Sequence, residues 1–198
     1  SLDIDIYNFG SDGYFGPVQY YVIYRNLAKA FDHDGLLIFF LPANDFTDND
    51  FEFWKNWHPS WYRPYYRKAD NGQFDIFYPD RAVKSEQYQE AQVSPFTRFL
   101  ARYTYSVNAL RTVKYLLSEN AITKGGYSGY FDATPVQQEA AIYFIRKIVT
   151  EAENKKVTIL VIPNQADLIR IRSGSRYNDQ YWYKTLFSLQ TANSNVDV

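Results

Sequence analysis

Cysteine is absent from all 198 residues. That excludes disulfides, zinc–thiolate sites and a cysteine nucleophile, and it leaves the redox compartment open. Methionine is absent too, the initiator included, and an internal piece of a longer polypeptide is one reading of that. Charge of either sign is not in excess: the net value is −1, so electrostatics make no case for nucleic acid or an anionic membrane as partner. Long apolar runs are also missing. The longest, Leu36 to Leu41, is far too short to cross a bilayer. No signal peptide is visible, and no compartment is identified.

What is present suffices for one ordinary domain with a real core: 46% of residues are hydrophobic and 22% charged. Aromatic residues make up 19%, with 19 tyrosines. Many fall between Phe46 and Tyr78. Such residues line sugar and apolar ligand clefts, but more often they pack cores and interfaces.

Along the chain, apolar strand patterns alternate with helical ones. Asp3 to Phe9 reads as a strand, with Ile4 and Ile6 alternating against Asp3 and Asp5. A Gly-rich turn follows, and Pro17 opens a helix whose apolar stripe is Tyr20, Ile23, Tyr24, Leu27 and Phe31. Leu36 to Leu41 is continuous and apolar, as a strand covered on both faces is. The region from about 46 to 94 reads as an aromatic-rich insertion. Within it, Asp70-Asn71-Gly72 joins Tyr62–Lys68 to Gln73–Tyr78 as a hairpin. Ser94-Pro95 begins a long amphipathic helix, with Phe96, Phe99, Leu100, Tyr103, Val107, Leu110 and Leu117 on one face. Lys124 to Tyr130 reads as a loop. Thr134-Pro135-Val136-Gln137 is a capping box with proline at the first helical position, opening a helix that turns Val136, Ala140, Phe144, Ile145 and Ile148 inward. Val157 to Ile162 is a further buried strand. A last helix covers about Asp179 to Gln190, with Trp182, Leu186 and Leu189, and Val196 to Val198 starts another strand. Strands alternating with helices predict an α/β fold: a parallel sheet in a three-layer arrangement.

Two positions stand out at strand ends, where open α/β sheets bind ligands. One is Gly13 in Asn8-Phe9-Gly10-Ser11-Asp12-Gly13-Tyr14. The other is Asn44 in Pro42-Ala43-Asn44-Asp45. A glycine N–H and an asparagine carboxamide make a pair of donors for a developing oxyanion. Each also has a plainer reading, a positive-φ turn for Gly13 and a turn cap for Asn44. Asp45 suits orienting Asn44 or capping the next segment. Asp167, just past the Val157 strand, suits either lining the cleft or capping a helix. Asp45, Asp48 and Asp50 lack the glycine and glutamate of a calcium loop, and no metal is expected. Ser11 and Ser128 lack the elbow spacing of a nucleophilic serine. The spacing Gly10-x-x-Gly13-x-x-Gly16 departs from a dinucleotide fingerprint, and no cofactor is expected. His33 precedes a strand at the edge opposite the candidate site, and His58 lies in the insertion.

Strand, Asn-Phe-Gly-Ser-Asp-Gly-Tyr, helix, apolar strand, Asn-Asp resembles blocks II and III of the SGNH (GDSL-like) hydrolases. The resemblance spans most of the chain in element order, and its specific part is about a dozen residues. It implies a flavodoxin-like, SGNH-type sheet, with residues 1–198 one domain that is incomplete at both ends. It also implies hydrolysis of acyl or acetyl esters of small molecules, lipids or carbohydrates. Gly13 and Asn44 would be the oxyanion donors, and Tyr14, Asp45, Phe46 and Asp167 would flank the substrate, with Trp54, Trp57, Trp61, Tyr62, Tyr65 and Tyr66 as one wall. The block I Gly-Asp-Ser and the block V Asp-x-x-His have no counterpart in the chain, so these 198 residues alone are expected to be inactive. The family is often secreted or periplasmic. Its first strand would lie between the Asp3 and Leu36 strands, which leaves a sheet edge through which two copies could pair. Two other readings stand beside this one: a non-catalytic SGNH-like binding or structural module, and a flavodoxin-like cofactor binder.

Overall fold

The computed structural model describes residues 5–10, 13–55, 63–79 and 126–198. It has a three-stranded parallel sheet, a separate two-stranded hairpin, and helices packed on the sheet. Helix α1 (Pro17–Asn26) leads through a 3₁₀ turn at Ala28–Ala30 into β1 (Gly35–Phe40). Two short helices follow, α2 (Pro42–Asp45) and α3 (Phe51–Trp54), and then the hairpin β2 (Tyr65–Lys68) and β3 (Phe74–Phe77). The last part carries α4 (Gly129–Asp132), α5 (Pro135–Ala152), β4 (Lys156–Val161), α6 (Gln165–Arg172), α7 (Tyr181–Ala192) and β5 (Val196–Asp197).

The sheet order is β1-β4-β5, with Gly35 opposite Lys156 and Phe40 opposite Val161. Val157 pairs with Val196. Ile38 and Phe40 from β1, with Val157 and Ile159 from β4, point into the core. There they meet Phe144, Ile145 and Ile148 of α5, Val18 and Tyr24 of α1, and Trp182 and Leu186 of α7. Helix α5 is set by its start: Thr134 Oγ1 accepts from Gln137 N, Gln137 Oε1 accepts from Thr134 N, and Pro135 occupies a position that needs no N–H. The hairpin turns at Gly72, whose φ of +80° suits a residue without Cβ.

Several expectations are corrected. Residues 5–10 form no strand. Ile6 is exposed, and Tyr7 and Phe9 lean their rings on Phe31 at 5.1 and 5.4 Å. Alternation of side chains makes a strand only where a neighbour completes the ladder, and β1 has no neighbour but β4 among the described residues. The Leu36–Leu41 run is buried on one face only: Leu37 and Phe39 remain 58% and 54% exposed, beside a half-exposed Leu160. The buried side of α1 is Val18, Gln19, Tyr21 and Tyr24, rather than the stripe through Leu27 and Phe31. Tyr21 explains the rotation, since its ring packs on Phe144 while its hydroxyl donates to Glu151 on α5. Val136 is exposed on α5. Gly129 and Tyr130 begin a helical turn instead of ending a loop. The helix expected from Ser94, together with Ser11, Trp57, His58, Trp61 and Tyr62, lies outside the described residues.

Candidate functional site

At the carboxyl end of β1 the chain turns at once into α2, with Pro42 at the helix start. Asn44 is left exposed, and its main-chain carbonyl accepts from Thr47 N and Asp48 N at 2.9 and 2.7 Å. Its two neighbours go the other way. Asp45 is buried, accepting from Leu41 N at 2.7 Å and from the Tyr20 hydroxyl at 2.8 Å. Phe46 is fully buried, edge-on to Phe40 and Trp182 at 5.3 and 5.9 Å. The single turn of helix produces this split, because successive residues on a helix point about 100° apart.

Burial sets the electrostatics. Loss of water pushes the Asp45 carboxyl well above the usual carboxylate range; the Tyr20 and Leu41 donors oppose this. Burial also lifts Asp48 to about 6, against the pull of the Arg63 guanidinium. Asp50 caps α3 through Phe53 N and accepts from Gln137 Nε2 at 2.8 Å. The acidic run is therefore made of internal anchors, and among the described residues no group of three or more His, Asp or Glu is arranged to hold a metal ion.

The glycine-rich turn rests on this segment. Asn49 Oδ1 accepts from Val18 N at 2.9 Å, and a Cβ on Gly16 would sit 2.4 Å from that oxygen and 3.3 Å from the Asp45 carbonyl. Gly16 therefore lies against the segment that follows Asn44; Gly13, three residues before it, and Asn44 are both exposed. Gly13 has φ +52°, as its plainer reading required, and Tyr14 follows it with φ +61°. Two successive left-handed residues of which one has a side chain are uncommon. Tyr14 is 43% exposed, and its carbonyl accepts from Arg63 Nη1 at 2.7 Å. Arg63 was not singled out from the sequence. It falls in the hairpin arm read at Tyr62–Lys68 with no role given to it there, and it reaches Tyr14 only through the fold.

Asp167 is buried with no exposure. Its carboxylate accepts from Ser128 Oγ, from Tyr130 N at 3.1 Å and from Asn164 N at 2.8 Å, while its own N–H donates to Asn164 Oδ1. It caps α6 and ties residues 128–130 to the end of β4. Ser128 is buried with it. Asn164-x-x-Asp167 is a capping pair, and this was the signal that could have revealed α6. Segment 128–130 also meets the Asn44 loop: a Cβ on Gly129 would lie 2.1 Å from the Pro42 carbonyl carbon. His33 stands at the opposite end of β1, its Nδ1 2.7 Å from the Phe31 carbonyl.

An open cavity of about 360 Å³ lies along β4, lined by Ile159, Val161, Pro163, Ile171, Tyr183 and Val198 among others. Gly13 and Asn44 do not line it. No helix among the described residues is long and apolar enough to cross a membrane. No protein-family model, curated protein or solved structure matches the chain.

Proposed function

We propose that this chain is the oxyanion-hole segment of an SGNH-type ester hydrolase with a flavodoxin-like sheet. One observation carries the reading: a left-handed, exposed Gly13–Tyr14 turn leads into Gly16, which packs on the segment after an exposed Asn44 at the end of a parallel strand. The order of elements around them, Gly turn, helix, strand, Asn-Asp, supports it, as does a parallel sheet ordered β1-β4-β5 with β1 at one side.

In this reading the nucleophilic serine and its histidine lie outside residues 1–198. Serine Oγ bonds to the ester carbonyl carbon as its proton passes to the histidine. The carbonyl oxygen takes the negative charge, and the Gly13 N–H and the Asn44 carboxamide stabilise it. Collapse breaks the C–O bond, the histidine's proton leaves with the alcohol, and water then releases the acid from the acyl-enzyme.

The test uses the natural polypeptide that carries this segment, assayed on p-nitrophenyl acetate. Asn44→Ala should lower kcat by about 10²–10³-fold with little change in KM. Unchanged turnover in that variant would remove Asn44 from the oxyanion hole, and no serine-dependent turnover by the parent would leave a non-catalytic module as the reading.

A further inference from the structure

Resting on the ester-hydrolase reading, we propose that Arg63 is a positioning residue: its guanidinium holds the Gly13–Tyr14 turn in the left-handed geometry that presents the Gly13 N–H. The argument starts from Tyr14. A residue with a side chain keeps φ near +60° only where its surroundings over-determine it. Gly13 gives no such hold, since a Cβ built there would meet nothing within 4 Å.

The hold comes from Trp54, Arg63 and Tyr65 instead. Arg63 Nη1 donates to the Tyr14 carbonyl at 2.7 Å, and Gln19 Nε2 approaches the same oxygen at 3.5 Å. The guanidinium carbon lies 5.7 Å from the Tyr14 ring centroid, 5.6 Å from that of Trp54 and 5.0 Å from that of Tyr65. Arg63 Nε donates to the Tyr65 hydroxyl at 3.0 Å, which fixes the plane of the fork. Trp54 closes on Tyr14 edge-to-face at 5.3 Å. Tyr14 is thus gripped at its carbonyl and at its ring, and one cation does both. Only a planar guanidinium can donate in two directions while stacking among aromatic faces.

The aromatic-rich insertion thereby serves as a buttress for the turn.

The experiment compares Arg63→Ala and Arg63→Lys with the parent polypeptide. It reads ¹⁵N order parameters at Gly13 and Tyr14, together with kcat and KM for p-nitrophenyl acetate. Far-UV circular dichroism and the order parameters of α5 report on whether each variant is folded. In folded Arg63→Ala, the order parameters at 13 and 14 should fall from about 0.85 to below about 0.6. Turnover should drop about 10²-fold with KM nearly constant. Added guanidinium should restore part of both, and Arg63→Lys should fall between. Unchanged order parameters in folded Arg63→Ala overturn the clamp whatever the activity does. A loosened turn with unchanged turnover supports the clamp and overturns the oxyanion role of Gly13 instead, and no serine-dependent turnover by the parent overturns the ester-hydrolase reading without touching the clamp.

Discussion

The Tyr20 hydroxyl donates to Asp45 across 2.8 Å, joining the first turn of α1 to the residue that follows Asn44. Both groups are pushed up in pKa, chiefly by burial. The bond therefore holds the Asn44 turn against the helix from the inside. Tyr20→Phe keeps the ring and removes the donor. It should cost about 1–2 kcal/mol in urea unfolding, because a buried carboxyl loses one of its two donors. An unchanged midpoint would mean that water replaces the hydroxyl at no cost.

Asp48 gives a pH dependence with a defined sign. Its carboxyl is raised from an ordinary 3.8 to about 6 in the folded protein. Between those values the folded state holds more protons than the unfolded, so this group's contribution to stability falls as pH rises, and the loss is complete above about pH 6. Asp48→Asn should be more stable than the parent at pH 7.5 by on the order of 2 kcal/mol, and nearly equal to it at pH 4. Thermal unfolding at the two pH values measures this. An advantage that does not grow with pH would place the titration elsewhere.

Glu153 ends α5 at φ +55° and ψ −115°, a backbone region that suits glycine. Its side chain is exposed, and its ion pair with Lys29, at 3.7 Å, is worth little. Relief of strain should outweigh loss of the pair, so Glu153→Gly should gain about 1 kcal/mol, or roughly 2–4 °C in Tm. Calorimetry decides it, and a lower Tm would show that the backbone at this position carries no strain worth relieving.

Asp167 separates a structural from a substrate-binding role. Its carboxylate serves three donors in the interior. Asp167→Ala should therefore destabilise by about 3 kcal/mol or more, since it strands buried partners. A residue lining a cleft would instead alter KM at constant stability.

The parts of the fold that were legible in the sequence are those governed by near neighbours. Thr134-Pro135-Val136-Gln137 caps α5, Asp70-Asn71-Gly72 turns the hairpin, and Lys156–Val161 pairs within a sheet where Val157 to Ile162 read as a strand. Trp182, Leu186 and Leu189 face the core at the helical spacing that suggested it. What was hidden depends on distant partners. The face that α1 buries is chosen by Phe144 and Glu151, and tyrosine, apolar in body and polar at the tip, fits either face. Residues 5–10 carry a strand pattern without a neighbour among the described residues to complete it. At the candidate site, the glycine in a left-handed turn was legible from its composition. The inward direction of Asp45 and Phe46 was not, because it follows from the helical turn at Pro42–Asp45. Arg63 had no local signal at all.

Gly129 lies so near the Pro42–Ala43 peptide that a single added carbon would overlap it, at 2.1 and 2.2 Å from its atoms. Main chain thus abuts main chain beside Asn44, with no side chain between to absorb a change. The main chain that carries the Asn44 carboxamide is placed from a remote part of the polypeptide, by the absence of an atom. Random mutagenesis should therefore tolerate broad replacement on the exposed surface around Asn44, while every replacement of Gly129 displaces that carboxamide or forbids the fold.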